Sequence, residues 1–131
     1  MKRLYQEIAT LLEAMENCRK SDNAEWLAKH GDKLESLVKE HMPSGGGVDS
    51  GTQLDMQRST PERLVFTTAF HHMHESGMYD GWTEHTVTVT PSLASGFDLK
   101  ISGRDRNGIK EYLGEIFDMA LRTEIKMMEP V

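Results

Sequence analysis

Leu64-Val65-Phe66-Thr67-Thr68-Ala69-Phe70-His71-His72 is the stretch from which the fold is read. Its side chains alternate: Leu64, Phe66, Thr68, Phe70 and His72 share one face, while Val65, Thr67, Ala69 and His71 share the other. Period-two alternation over this length predicts a strand with one face buried. The same rhythm recurs on both sides of it. Thr52, Leu54 and Met56 alternate with Gln53, Asp55 and Gln57. His85, Val87 and Val89 alternate with Glu84, Thr86, Thr88 and Thr90. Phe97, Leu99 and Ile101 alternate with Asp98, Lys100 and Ser102. Ser59-Thr60-Pro61 and Pro91-Ser92-Leu93-Ala94-Ser95-Gly96 are turn chemistry. Four consecutive strands of this kind predict an antiparallel meander covered on one face.

The cover comes from helices. Leu4, Ile8, Leu11, Met15 and Cys18 follow a 4-3-4-3 spacing, widened by Leu12. That stripe has two readings: a helix packed on its own domain, or a contact in a homodimer. Asp22 and Glu25 have capping-box spacing, and Trp26, Leu27, Leu34, Leu37 and Val38 form a second stripe. Gly31-Asp32 interrupts it, giving either one weakened helix or two short ones. Ile109, Tyr112, Leu113, Ile116, Phe117, Ala120, Leu121 and Ile125 mark the clearest amphipathic helix. The expected fold is α+β: two N-terminal helices, a four-stranded antiparallel meander sheet and a C-terminal amphipathic helix, helices on one sheet face. Residues 1–22 are expected as an N-terminal helix and residues 23–131 as a single domain.

With 131 residues, 37% hydrophobic and 27% charged, the chain suits one soluble core. No apolar run nears the ~20 residues of a membrane span. The N-terminus turns acidic and polar too soon for a signal peptide. Cys18 is the single cysteine, so no internal disulfide is expected and a reducing cytoplasm fits. The net charge of −6 is spread along the chain, which argues against a nucleic-acid binder working through phosphate neutralisation.

Up-down connectivity collects three unusual segments at one pole: Pro43 to Gly51, the 75–83 connection, and the 103–107 turn. Setting Phe70 opposite Val87 places His72 opposite His85 on the inner face, with His74 near Thr83 and His71 outside. His72 and His85 with His74 or Asp80 could ligate a transition metal; two hydrogen-bonded structural histidines are the plainer reading, since no HExxH, cysteine partner or helical histidine pair is present. Arg104, Arg106 and Asn107 precede a helix N-terminus, and Gly45-Gly46-Gly47 could add backbone amides; together they offer either an anion site for a nucleotide-like molecule or, more plainly, an ordinary helix cap with solvated arginines, one of them paired with Asp105. Tyr79, Asp80 and Trp82 form the loop wall of the same pole. Ser44 and Ser50 lack a nucleophile elbow, and Cys18 lies on an apolar stripe, so no catalytic residue and no cofactor are expected. The threonine-rich outer face could add a partner or pair with itself.

Several runs carry a resemblance: Pro43-Ser44-Gly45-Gly46-Gly47-Val48-Asp49-Ser50-Gly51-Thr52, Tyr79-Asp80-Gly81-Trp82-Thr83-Glu84-His85, Pro91-Ser92-Leu93 with Gly96-Phe97, and Ser102-Gly103-Arg104-Asp105-Arg106-Asn107. From about Trp26 to Ile125 the chain resembles small uncharacterised accessory proteins of tailed bacteriophages and prophages, with glycine at position 46 where a serine is expected. The resemblance implies an intracellular protein expressed during infection. The expected function is then non-catalytic binding that modulates or inhibits a host enzyme or antiviral defence complex, an anti-CRISPR-like role being one form. The alternatives are a binder of a nucleotide-like anion and, third, a metal-dependent enzyme using the histidines.

Overall fold

The computed structural model describes residues 2–49 and 51–125; Ser50 and residues 126–131, the end of the expected domain, lie outside the described residues. The elements in order are β1 (Lys2–Arg3), α1 (Leu4–Lys20), α2 (Ala24–His41), β2 (Gln53–Leu54), β3 (Leu64–Met73), β4 (Tyr79–Ser92), β5 (Gly96–Gly103), α3 (Ile109–Arg122) and β6 (Glu124–Ile125). β2 to β5 form one antiparallel sheet in chain order, the expected meander, and the fold is α+β. Its inner face carries Leu64, Phe66, Val87, Val89 and Phe97, which share one core with Leu4, Ile8, Leu11 and Leu12 of α1, Leu34 and Val38 of α2, and Leu113, Phe117 and Leu121 of α3. Phe66 meets Phe117 edge-on, ring centroids 5.9 Å apart, where sheet and helix layers join.

The N-terminal stripe is consumed inside this core. Leu4 and Ile8 have no exposed surface, and Leu11, Leu12, Met15 and Cys18 are buried. It is therefore not a surface on which a second copy could dock, and α1 belongs to the same core as the rest of the chain. Glu7 is buried beside it, with Lys2 Nζ at 3.8 Å and Lys33 Nζ at 3.6 Å.

Local chemistry explains where the elements depart from the sequence pattern. α2 is one helix that runs through Gly31, and a Cβ there would meet only Met15 Cε at 3.7 Å. Its cap is Asn23, whose side chain accepts from Trp26 N; Asp22 instead takes a left-handed φ of 54° between the helices. β2 covers only two residues because the Asp55 carboxylate accepts from the amides of Gln57 and Arg58 and turns the chain. Ile125 does not continue α3. Thr123 is extended, and Ile125 pairs with Lys2 in a small second sheet, supported by Leu4 N donating to Thr123 O at 2.9 Å.

Because α1 fills the centre of the core, Ile8→Ala should cost about 2–5 kcal/mol of unfolding free energy. Denaturant titration measures it, and a loss below about 1 kcal/mol would show that α1 is peripheral.

Candidate functional site

The β3–β4 hairpin fixes every residue of interest. Gly77, at φ 84°, closes a tight turn in which His74 N donates to Met78 O at 2.7 Å and Gly77 N donates to His74 O at 2.8 Å. The strands therefore pair almost to their ends, and the register differs from expectation: Phe70 faces Thr83, and Val87 faces Phe66. The slip is an even number of residues, so His71, His72 and His85 keep their expected faces, while a bulge beyond His71 sets Met73 opposite Tyr79. Tyr79, Asp80 and Trp82, expected in a loop, lie in β4.

On the inner face, His72 and His85 are buried and joined through a threonine. His72 Nε2 lies 2.9 Å from Thr83 Oγ1, which lies 2.7 Å from His85 Nε2. The arrangement that satisfies all three groups is a chain in which the hydroxyl accepts from one ring and donates to the other. Both Nε2 atoms are thus occupied. His74 is elsewhere, in the turn, bonded to Ser76 Oγ at 3.0 Å, so the metal set of His72, His74 and His85 is not assembled. Among the described residues no group of three or more histidine, cysteine or acidic side chains is placed to hold a metal. Gly103 makes room for this pair: at φ 121°, a Cβ would sit 2.5 Å from Glu84 O and 2.8 Å from His85 Nδ1. A second polar contact, Thr52 Oγ1 to Thr68 Oγ1 at 2.7 Å, lies on the same face.

The anion candidates are brought to one pole, where Arg106, Gly45 and Gly47 are already engaged. Arg106 donates to Asp80 O at 2.7 Å and forms an ion pair with the Asp80 carboxylate, tying the 103–107 turn to the hairpin. The first turn of α3 holds a carboxylate of its own, since Asp105 Oδ1 accepts from Lys110 N at 3.2 Å. Gly45 and Val48 exchange backbone hydrogen bonds of 3.0 Å, and Gly47 O accepts from His71 N at 2.6 Å, so this loop extends the sheet along β3. Packing explains Gly47: a Cβ there would lie 2.6 Å from the Phe70 ring. Gly45 and the Arg106–Asn107 pair line separate depressions that both border Tyr112. Arg104 remains exposed, and Asn107 is a left-handed turn residue at φ 57°.

The outer face of the hairpin tip is different in kind. Trp82 pairs with His71 and Tyr79 with Met73. Trp82 is 59% exposed, Tyr79 56% and Met73 62%, and Met78 in the turn is 70% exposed. Tyr79 Oη lies 3.1 Å from His71 Nδ1, and Asp49 Oδ2 lies 3.9 Å from His71 Nε2, which braces the patch on the sheet. Large apolar side chains on the solvated face of a rigid hairpin are the informative exception to burial. Tyr79 and Trp82 are legible in the sequence as residues of this pole; Met73, Met78 and Asp49 join them only through the hairpin geometry. The odd-numbered face of β3, carried two residues past His71, would have reached Met73.

No protein-family model, no curated protein and no solved structure matches this chain.

Burial, and for His72 the positive charge of Arg106, hold both histidines below the ordinary 6.5; for His85 the neighbouring His72 adds to burial while the Ser102 backbone opposes it. Below that value the unfolded chain binds protons that the folded chain refuses, so stability is full above about pH 6.5 and declines as pH falls towards the lowered folded values. Unfolding midpoints measured between about pH 7 and 5 should therefore drop, and His85→Gln should flatten the slope. A wild-type profile flat across that window contradicts this account.

Proposed function

We propose that this protein is a non-catalytic binding protein that docks a partner protein on the outer face of the β3–β4 hairpin tip. The observation that carries the reading is the exposure of Trp82, Tyr79 and Met73 side by side on paired strands. Tryptophan and tyrosine are the side chains that most often dominate protein interfaces, because they bury large area at little conformational cost. Their placement on a hydrogen-bonded hairpin, clamped by Arg106 to Asp80, means that little ordering is left to be done on binding. Exposed Glu84 and half-exposed Asp49 flank the patch, so a partner with a basic rim is the best electrostatic match.

The resemblance to phage and prophage accessory proteins supplies the finer reading, that the partner is a host enzyme or an antiviral defence complex and that binding inhibits or modulates it. An anti-CRISPR-like role is one form of this. A nucleotide-like anion is the weaker reading, since Asp80 and Asp105 already occupy Arg106 and the α3 N-terminus.

The test is affinity capture from host lysate with wild-type protein, Tyr79→Ala/Trp82→Ala and Arg104→Ala. A stoichiometric partner should be retained by wild type and Arg104→Ala and weakened about a hundredfold or more by the hairpin double variant. Equal capture by all three proteins sinks the hairpin reading, and loss with Arg104→Ala alone would restore the anion reading.

A further inference from the structure

β5 is the last strand of the sheet, and the direction of its backbone groups follows from the hydrogen bonds of β3. On its outward side β3 uses Val65 O, Ala69 O and His71 N, which bond to Asp55 N, Asp49 N and Gly47 O. Backbone groups alternate along a strand, so the even residues of β3 face β4. Carried through the observed register, this makes Thr88–Lys100 and Thr90–Asp98 the hydrogen-bonded pairs between β4 and β5. The N–H and C=O groups of Leu99 and Ile101 therefore point away from β4, and among the described residues no turn or side-chain bond meets them. On the same side, only Phe97 O is taken, by Ser95 Oγ at 2.9 Å.

The side chains of this edge are self-complementary. We propose that β5 pairs antiparallel with β5 of a second copy of this chain, about a two-fold axis at Leu99, giving a continuous sheet across the dimer. In that register Leu99 faces Leu99 of the second copy. Exposed Asp98 then faces the copy's Lys100 on the outer face, and its Lys100 faces the copy's Asp98. On the inner face Phe97 meets Ile101, and Gly96 meets Ser102 beside the outer charges. Every cross-edge pair is thus apolar with apolar, acid with base, or small with small. Edge strands usually carry a lone lysine as a guard against such pairing. Here the guard has an aspartate placed symmetrically about the same axis, which turns a repulsive position into an attractive one. Antiparallel joining would send the two hairpin tips in opposite directions, so each copy keeps its outer patch free. The inference does not depend on what binds that patch.

Asp98 and Lys100 are exposed, so they can be exchanged without touching the core. Sedimentation equilibrium of the full chain over a wide concentration range should show a reversible dimer. Lys100→Asp and Asp98→Lys, each placing like charges across the edge twice, should each weaken dimerisation about tenfold or more. The double variant Asp98→Lys/Lys100→Asp restores both pairs and should dimerise like wild type. A wild-type monomer at the highest soluble concentration overturns the proposal. So does a dimer indifferent to either single reversal, or a double variant that stays monomeric. Circular dichroism of each variant confirms that the fold is retained.

Discussion

The contact between Phe66 and Phe117 is where this molecule is decided. Phe66 is fully buried at the centre of the sheet, and Phe117 is fully buried on α3. A strand that must bury one face has no freedom to slip by an odd number of residues without turning its apolar side chains to water. Once Phe66 faces the helices, Val65, Thr67, His71 and, across the hairpin, Trp82 must face outward. The solvent-facing aromatic patch is therefore a consequence of the core, since the same strands carry both.

The inner face is not uniformly apolar. Towards the hairpin tip it passes from phenylalanine and valine to Thr52, Thr68, His72, Thr83 and His85, all buried. Burying such groups is costly unless they are hydrogen-bonded, and here they largely satisfy one another. His85 Nδ1 is the exception, buried without a partner in good geometry. Gly103 accepts the backbone conformation that leaves space for that ring. One end of the core is thus held by packing and the other by directional bonds.

Strand alternation made the fold legible because each strand has one buried and one solvated face, and 3.6-residue periodicity did the same for α1 and α3. The faces of His71, His72 and His85 followed from alternation alone. The register did not, because it depends on how tightly the 74–78 turn closes, and Gly77 signals a turn without giving its length. Asp22–Glu25 matches a capping pattern, but Asn23 takes the cap; Gly47, whose sequence context suggests a backbone-amide nest, is required by its close approach to Phe70. The cap is decided by a partner three residues away, whereas Gly47 is decided by a ring more than twenty residues distant in sequence. Ile125 shows the non-local case most clearly: helical spacing continues through it, but Lys2, far away in sequence, recruits it into a strand.

That last pairing bears on how the protein is made. The apolar stripe of α1 is synthesised about a hundred residues before the α3 side chains that help cover it and the 123–125 segment that secures its start. The nascent chain must carry that amphipathic helix uncovered until α3 has followed it. Closing a sheet between residues 2–3 and 124–125 is a contact of long sequence separation, the kind that forms late. During that interval chaperones, membranes or other nascent chains meet a face that the finished protein never shows.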